Sequence, residues 1–183
     1  MLKPWIILDR DGTLIEEKHY LALPEQVELL DGVVEGLRLL ADAGARFIVL
    51  TNQSGIARGF FSEEEMFRVN CRLLDILKSE GIKIEACFFC PHDADAFCYC
   101  RKPNIGLVTQ AKEKLGFLNE EICCVIGDKK SDIQLAENLN CRAILVLTGH
   151  GSEERKKIQG NIQIASDFSA AAYFIINKNW IGA

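Results

Sequence analysis

The chain has 183 residues, 49% of them apolar and 26% charged, with a formal net charge of −5. That length fits a single domain, expected to span 1–183, with a sizeable core, and the balance is not that of a disordered chain. The acidic charge, with no basic stripe, argues against nucleic acid as the main partner, and no apolar run reaches the ~18 residues a membrane helix needs.

Trp5-Ile6-Ile7-Leu8 reads as a buried strand ending at Asp9. The apolar opening is too short for a signal-peptide core and has no small-residue cleavage site after it, so a cytoplasmic location is expected. Asp31 is placed as the cap of a helix running to about Ala43, with Gly44 as its stop. Arg46 to Leu50 is a second strand ending at Thr51. Ser62 and Glu65 form a capping-box pattern opening a helix that ends near Gly81. Lys83 to Phe89 is a third strand, followed by a polar, cysteine-rich loop. Asn104 to Leu115 reads as helix, Ile122 to Ile126 as a fourth strand, and Ser131 or Asp132 as the cap of a helix reaching Leu139. Ala143 to Leu147 is a fifth strand, 162–165 a short one, and a last helix is expected from about Ser169. Strands alternating with helices predict an α/β fold: a doubly wound, mostly parallel sheet with helices on both faces. In such sheets ligands sit outside the carboxyl ends of the strands. Asp9, Thr51 and Asp128 all fall at strand ends and are therefore expected to share a crevice.

Asp9-Arg10-Asp11-Gly12-Thr13 follows the first strand directly. Gly12 lets the chain turn, so that one carboxylate can meet an electrophile while the other reaches a leaving group. A carboxylate nucleophile with an acid–base partner is one route to covalent phosphoryl transfer. Alone, a D-x-D pair is better explained by a polar turn; the full D-x-D-G-T after four apolar residues reverses that and favours chemistry. Thr51-Asn52-Gln53-Ser54-Gly55 offers a hydroxyl, amides and freely oriented backbone N–H groups to phosphate oxygens. A carboxylate at Asp128 suits a hard cation beside Asp9, and magnesium prefers oxygen ligands and bridges to phosphate. Asp132 reads as a helix cap or as a residue behind the metal ligands.

The eight cysteines fall into two groups. Cys71, Cys87, Cys123, Cys124 and Cys141 lie in apolar segments and read as small core residues; in the cytoplasm disulfides are not expected. Cys90, His92, Cys98 and Cys100 supply four soft or borderline ligands within eleven residues, a set that suits tetrahedral zinc closed by protein alone and hence a structural site. Arg101 and Lys102 follow the last ligand, so fixing Cys100 fixes where these cations point: one to neutralise a phosphoryl group, the other to grip substrate.

Together, D-R-D-G-T, the Ser/Thr motif at Thr51, the Lys motif at Lys102 and G-D-x-x-x-D from Gly127 to Asp132 resemble the haloacid dehalogenase-like phosphatases over nearly the whole chain. The resemblance implies that Asp9 is the nucleophile and Asp11 the general acid, then base. It implies that Thr51 and Lys102 hold the transferring phosphoryl group. Magnesium would be bound by the Asp9 carboxylate, the Asp11 carbonyl and Asp128. T-N-Q-S-G-I-A-R-G, with C-P-H-x5-C-x-C-R-K-P, looks like the D-glycero-D-manno-heptose-1,7-bisphosphate 7-phosphatases, with histidinol-phosphate phosphatases as the related alternative. A small sugar bisphosphate is then the expected substrate, contacted by His19, Tyr20, Asn52, Gln53, Ser54, Arg101 and Lys129. Glu16 and Ile105 stand where that family often has Asn and Pro. Neither 13–31 nor 59–87 leaves room for a cap domain, so the crevice is expected to be open and the protein to work as a monomer. A DNA 3'-phosphatase and a non-catalytic zinc-stabilised module are the remaining alternatives.

Overall fold

The computed structural model describes residues 4–117 and 119–181. Six strands form one all-parallel sheet in the order β3-β2-β1-β4-β5-β6. They are β1 (Trp5–Leu8), β2 (Arg46–Asn52), β3 (Ile84–Cys90), β4 (Ile122–Gly127), β5 (Arg142–Val146) and β6 (Gln163–Ala165). The helices are α1 (Val33–Asp42), α2 (Glu63–Ser79), α3 (Gly106–Leu115), α4 (Lys130–Leu139), the short α5 (Gly151–Glu154) and α6 (Phe168–Asn177).

The period-2 geometry of β1 divides the core. Ile6 and Leu8 face a layer built from α1, α2 and α6, where Leu37, Leu73 and Phe168 are buried. Trp5 and Ile7 face the opposite layer, where Leu107 and Val108 of α3 meet Leu135 and Leu139 of α4. β1 is covered on both faces, which is why its sequence is a continuous apolar run rather than an alternating one. Trp5 is fully buried and stacks on Phe117 at 4.4 Å, with the Arg46 guanidinium 4.0 Å above its ring. Truncating it to alanine should cost about 3–5 kcal/mol. Cys123 and Cys124 are buried in the first layer and Cys87 packs against it, while Cys141 packs against the second. All eight cysteines are free.

The expected elements are present, with corrections at their ends. Ser62 and Glu65 form the capping box of α2: Ser62 Oγ accepts from the Glu65 N–H at 3.2 Å and Glu65 Oε2 from the Ser62 N–H at 2.7 Å. Asp31 does not cap α1; Gly32 holds that position with φ 79° and no side-chain cap. α6 is capped by Asp167, whose Oδ1 accepts from the Ala170 N–H at 2.8 Å, so the helix starts before Ser169. α4 is preceded by Lys129, not by Ser131 or Asp132. Asp132 is the third helical residue, and its Oδ2 accepts from the Lys129 N–H at 3.1 Å. A short polar residue near a helix start can serve the orphan donors from either position, so spacing alone did not separate the two. Among the described residues no helix is long and apolar enough to cross a membrane.

Candidate active site

The sheet order reverses between β1 and β4, so the loops that follow these strands diverge and leave a crevice at their carboxyl ends. Asp9 leaves β1 with its N–H bonded to the Ile126 carbonyl of β4 at 2.9 Å, and Asp128 follows β4 directly. One ligand oxygen each from Asp9, Asp128 and Asp132 falls within 4.8 Å of the others. Between them lies Lys102, only 4% exposed. Its Nζ sits 2.6 Å from Asp9 Oδ1, 2.6 Å from the Leu50 carbonyl and 2.6 Å from Asp132 Oδ1.

These neighbours set the charges. Burial alone would raise the Asp9 carboxyl, but Lys102, with help from Lys129, outweighs it and holds Asp9 below its ordinary value, hence ionised. Asp128 has only Lys129, at 3.9 Å, which does not offset its burial. Burial, with the nearby Asp9 carboxylate, pushes it up to about 8. Its Oδ2 accepts from the His150 N–H at 2.8 Å, while Oδ1 is buried without a hydrogen bond and lies 3.9 Å from Lys129 Nζ. Burial likewise lifts Asp132 to about 6 despite Lys102. A buried carboxylate oxygen with no donor, in a cluster of oxygen ligands, is what a hard divalent cation would satisfy. The residues fit such an ion.

Two glycines make the crevice this tight. Gly12 (φ 80°) and Gly149 (φ 52°) adopt left-handed backbone, and a Cβ on either would collide with Asp128 Oδ2. The Thr148 hydroxyl donates to the Gly12 carbonyl at 2.6 Å, tying the loop after β5 to the turn after β1.

Asp11 faces the other wall. Gln53 Nε2 donates to its Oδ2 at 2.8 Å and to Thr51 Oγ1 at 2.7 Å, and Thr51 lies 3.4 Å from the same oxygen. The fully buried Arg10 grips it with Nε at 3.1 Å and Nη2 at 3.0 Å, while its Nη1 donates to Asn70 Oδ1 of α2 at 2.7 Å. Asn52 brackets the Lys102 backbone, donating to its carbonyl and accepting from its N–H, both at 3.0 Å.

A pocket of about 180 Å³ opens beside Asp11, lined by Glu17, His19, Tyr20, Asn52, Gln53, Ser54, Lys129 and His150 among others. Six of the seven expected substrate contacts line it; Arg101 does not. Its Nη1 donates back to the His92 carbonyl at 3.2 Å, so consecutive cations point in opposite directions. The sequence reading did not single out Glu17 and His150. Glu17 Oε2 meets Lys129 Nζ at 3.1 Å and His150 Nε2 at 3.5 Å. His150 lies beyond the end of β5, at the same edge as Asp9 and Asp128, so the strand-end rule was the signal that could have found it. Arg10 and Asn70 carried no signal, because nothing local shows that they meet.

The cysteine-rich loop forms a second, separate cluster. Cys90 Sγ lies 3.5 Å from His92 Nδ1, 3.5 Å from Cys98 Sγ and 3.2 Å from Cys100 Sγ; His92 Nδ1 to Cys100 Sγ is 3.2 Å and Cys98 to Cys100 is 3.7 Å. A tetrahedron with metal–ligand lengths of about 2.0–2.3 Å has edges of about 3.3–3.8 Å, close to the 3.2–3.7 Å spread of these distances. The four groups are therefore compatible with one closed metal site. The Arg101 N–H donates to Cys98 Sγ at 3.4 Å, a backbone contact that fixes where the next residue, Lys102, enters the crevice.

Comparison with known proteins is consistent with this geometry. A family described as HAD-hydrolase-like matches residues 99–171. The D-glycero-alpha-D-manno-heptose-1,7-bisphosphate 7-phosphatase of Photorhabdus laumondii is 37% identical over 155 residues, covering 80% of this chain and 84% of that protein. The chain belongs to the haloacid dehalogenase-like phosphatases. A crystal structure of the D,D-heptose 1,7-bisphosphate phosphatase from B. bronchiseptica, complexed with magnesium and phosphate, superposes with a TM-score of 0.85 at 28% identity, covering 96% of this chain and 99% of that one. The histidine biosynthesis bifunctional protein HisB of Legionella pneumophila is 34% identical over 151 residues, but the chain spans only 43% of it. As a member of this phosphatase family the chain is a phosphoric monoester hydrolase.

Proposed function

We propose that residues 1–183 act as one catalytic domain, in the cytoplasm, that removes the 7-phosphate of D-glycero-D-manno-heptose 1,7-bisphosphate through an aspartyl-phosphate intermediate. The observation that carries the chemistry is Asp9 itself: a buried carboxylate kept ionised by Lys102, beside a carboxylate oxygen of Asp128 that lacks a donor. In the first step an Asp9 oxygen bonds to phosphorus, the bond from phosphorus to the sugar oxygen breaks, and Asp11 gives that oxygen a proton. In the second step Asp11 takes a proton from water as the water oxygen bonds to phosphorus, and the Asp9–phosphorus bond breaks. Lys102 Nζ and Thr51 Oγ1 hold phosphoryl oxygens as charge shifts onto them. Asp9, the Asp11 carbonyl and Asp128 would hold magnesium, which supplies positive charge to the phosphoryl group.

Arg10 and Gln53 orient Asp11, and Asn52 sets the height of Lys102 through its backbone. In the pocket, Lys129 offers a cation to the distal part of a bisphosphate, and His19, Tyr20 and Ser54 form the wall. Arg101 would join the substrate by leaving the His92 carbonyl, an exposed contact that costs little to exchange. The Cys90, His92, Cys98 and Cys100 set would hold zinc as a structural ion.

The sugar assignment is supported by T-N-Q-S-G-I-A-R-G and by relatives that carry the heptose-bisphosphatase name over most of their length. The test is phosphate release, with magnesium, from heptose 1,7-bisphosphate, histidinol phosphate, fructose 1,6-bisphosphate and a 3'-phosphorylated oligonucleotide. Heptose bisphosphate should give the highest kcat/KM. A higher value for histidinol phosphate would replace the substrate while keeping the chemistry.

A further inference from the structure

Arg58 is the next-to-last residue of the T-N-Q-S-G-I-A-R-G motif, and neither the chemistry nor the pocket lining uses it. We propose that Arg58 is a positioning residue that couples the cysteine-rich metal loop to the segment forming the substrate wall. Its guanidinium makes a fork on Asp93, from Nε to Oδ2 at 3.0 Å and from Nη2 to Oδ1 at 2.7 Å, and its Nη1 donates to the Tyr20 hydroxyl at 2.8 Å. Three loops that are distant in sequence thus meet on one side chain: the one after β1, the one after β2 and the metal loop.

At the metal end, Asp93 follows the ligand His92 directly, and its Oδ1 also accepts from the Ala94 N–H at 2.7 Å, starting the turn at Ala94–Ala96. The Ala57 N–H adds a backbone bond to the Pro91 carbonyl at 3.2 Å. A loop whose conformation is set by its metal ligands therefore presents Asp93 in one place.

At the substrate end, Tyr20 has φ 57°, a left-handed conformation that a bulky residue adopts only when its surroundings hold it there. Its ring packs on Phe60 at 4.2 Å and on His19 at 4.6 Å, and its hydroxyl is held by Arg58. Tyr20 and His19 both line the pocket. An exposed ion pair alone contributes little, and Arg58 and Asp93 are 43% and 37% exposed. What distinguishes this one is the two-pronged fork and the third bond, which reaches a strained residue in the pocket wall.

The coupling predicts that disturbing either end loosens the other. Hydrogen exchange by mass spectrometry on the full, metal-loaded chain reads it directly. Arg58→Ala should speed exchange in residues 17–21 and 92–97 together while leaving metal stoichiometry unchanged. Chelating the metal from the wild type should speed exchange in 17–21 as well, and the same chelation of Arg58→Ala should add little there, the non-additivity expected of two changes acting through one link. Arg58→Lys keeps the charge but not the fork and should recover less than half of the effect. Tyr20→Phe removes one hydroxyl and should reproduce the loosening of 17–21 if Arg58→Ala does not fold. With heptose 1,7-bisphosphate, Arg58→Ala should raise KM roughly tenfold with kcat within about twofold. Unchanged exchange in 17–21 for both variants, additive effects of chelation and substitution, or a fall in kcat at constant KM would overturn the proposal. Only this kinetic arm rests on the proposed substrate: a wild-type enzyme inactive on heptose bisphosphate would remove that assignment and leave the exchange experiment decisive.

Discussion

The two ligand clusters are built in opposite ways. Cys90, His92, Cys98 and Cys100 come from one stretch of eleven residues, the last residue of β3 and the loop that follows it, and their mutual distances suit a metal. Asp9, Lys102, Asp128 and Asp132 come from three separate stretches of chain and meet only because β1 and β4 are neighbours in a parallel sheet. The first cluster concentrates soft ligands that need an ion to be stable; the second concentrates buried charge, held in balance by Lys102 and left one cation short at Asp128. A local site can fail locally, whereas damage to the crevice changes the chemistry without disturbing the sheet that positions it.

The largest effect should follow Asp9→Asn. Turnover should fall by about 10⁴-fold or more, as expected when a nucleophile is removed, while circular dichroism and the metal content of the cysteine loop stay at wild-type values. Near-wild-type activity would remove Asp9 from its role. Cys98→Ser tests the other side of the contrast. It should lower the metal content of the loop and Tm together, with the crevice carboxylates in place. Retained metal at one ion per chain would show that the four groups are not the ligand set.

The smallest effect is a dependence on pH. Asp128 has its carboxyl raised from 3.8 to about 8, so at neutral pH the metal-free protein carries a proton there. A cation must displace it, and magnesium affinity measured by titration should rise as pH increases, by at most about tenfold per unit, and level off above about 8. The sign for stability is the reverse. A raised carboxyl favours the folded state most at low pH, so the metal-free protein should lose that contribution as pH climbs from 3.8 towards about 8, and magnesium should restore it. Magnesium affinity that falls with pH over this range would mean that Asp128 is not the group the ion displaces.

The two clusters also differ in how far the sequence disclosed them. Four ligands in one short loop are visible as spacing, because zinc chemistry limits the residue types and the reach. Asp9, Thr51 and Asp128 were legible through a rule of topology, since each ends an apolar run that becomes a parallel strand. The cap positions were less so. Asp31 and Asp132 had the right residue type near a helix start, yet Gly32 and Lys129 took the cap sites because the helices begin where the packing of α1 against α6 and of α4 against the sheet places them. The grip of Arg10 and Asn70 on Asp11, and the turn of Arg101 away from the pocket, depend on side-chain directions that no local pattern encodes.

The central claim is that Asp9 accepts the phosphoryl group. Quenching the enzyme during turnover of heptose 1,7-bisphosphate, reducing with borohydride and mapping peptides by mass spectrometry reads the acceptor directly, because an acyl phosphate is reduced where a free carboxylate is not. Conversion of Asp9, and no other aspartate, to homoserine is the predicted result. Conversion at Asp11 instead, or no conversion at any aspartate while phosphate is still released, would contradict it.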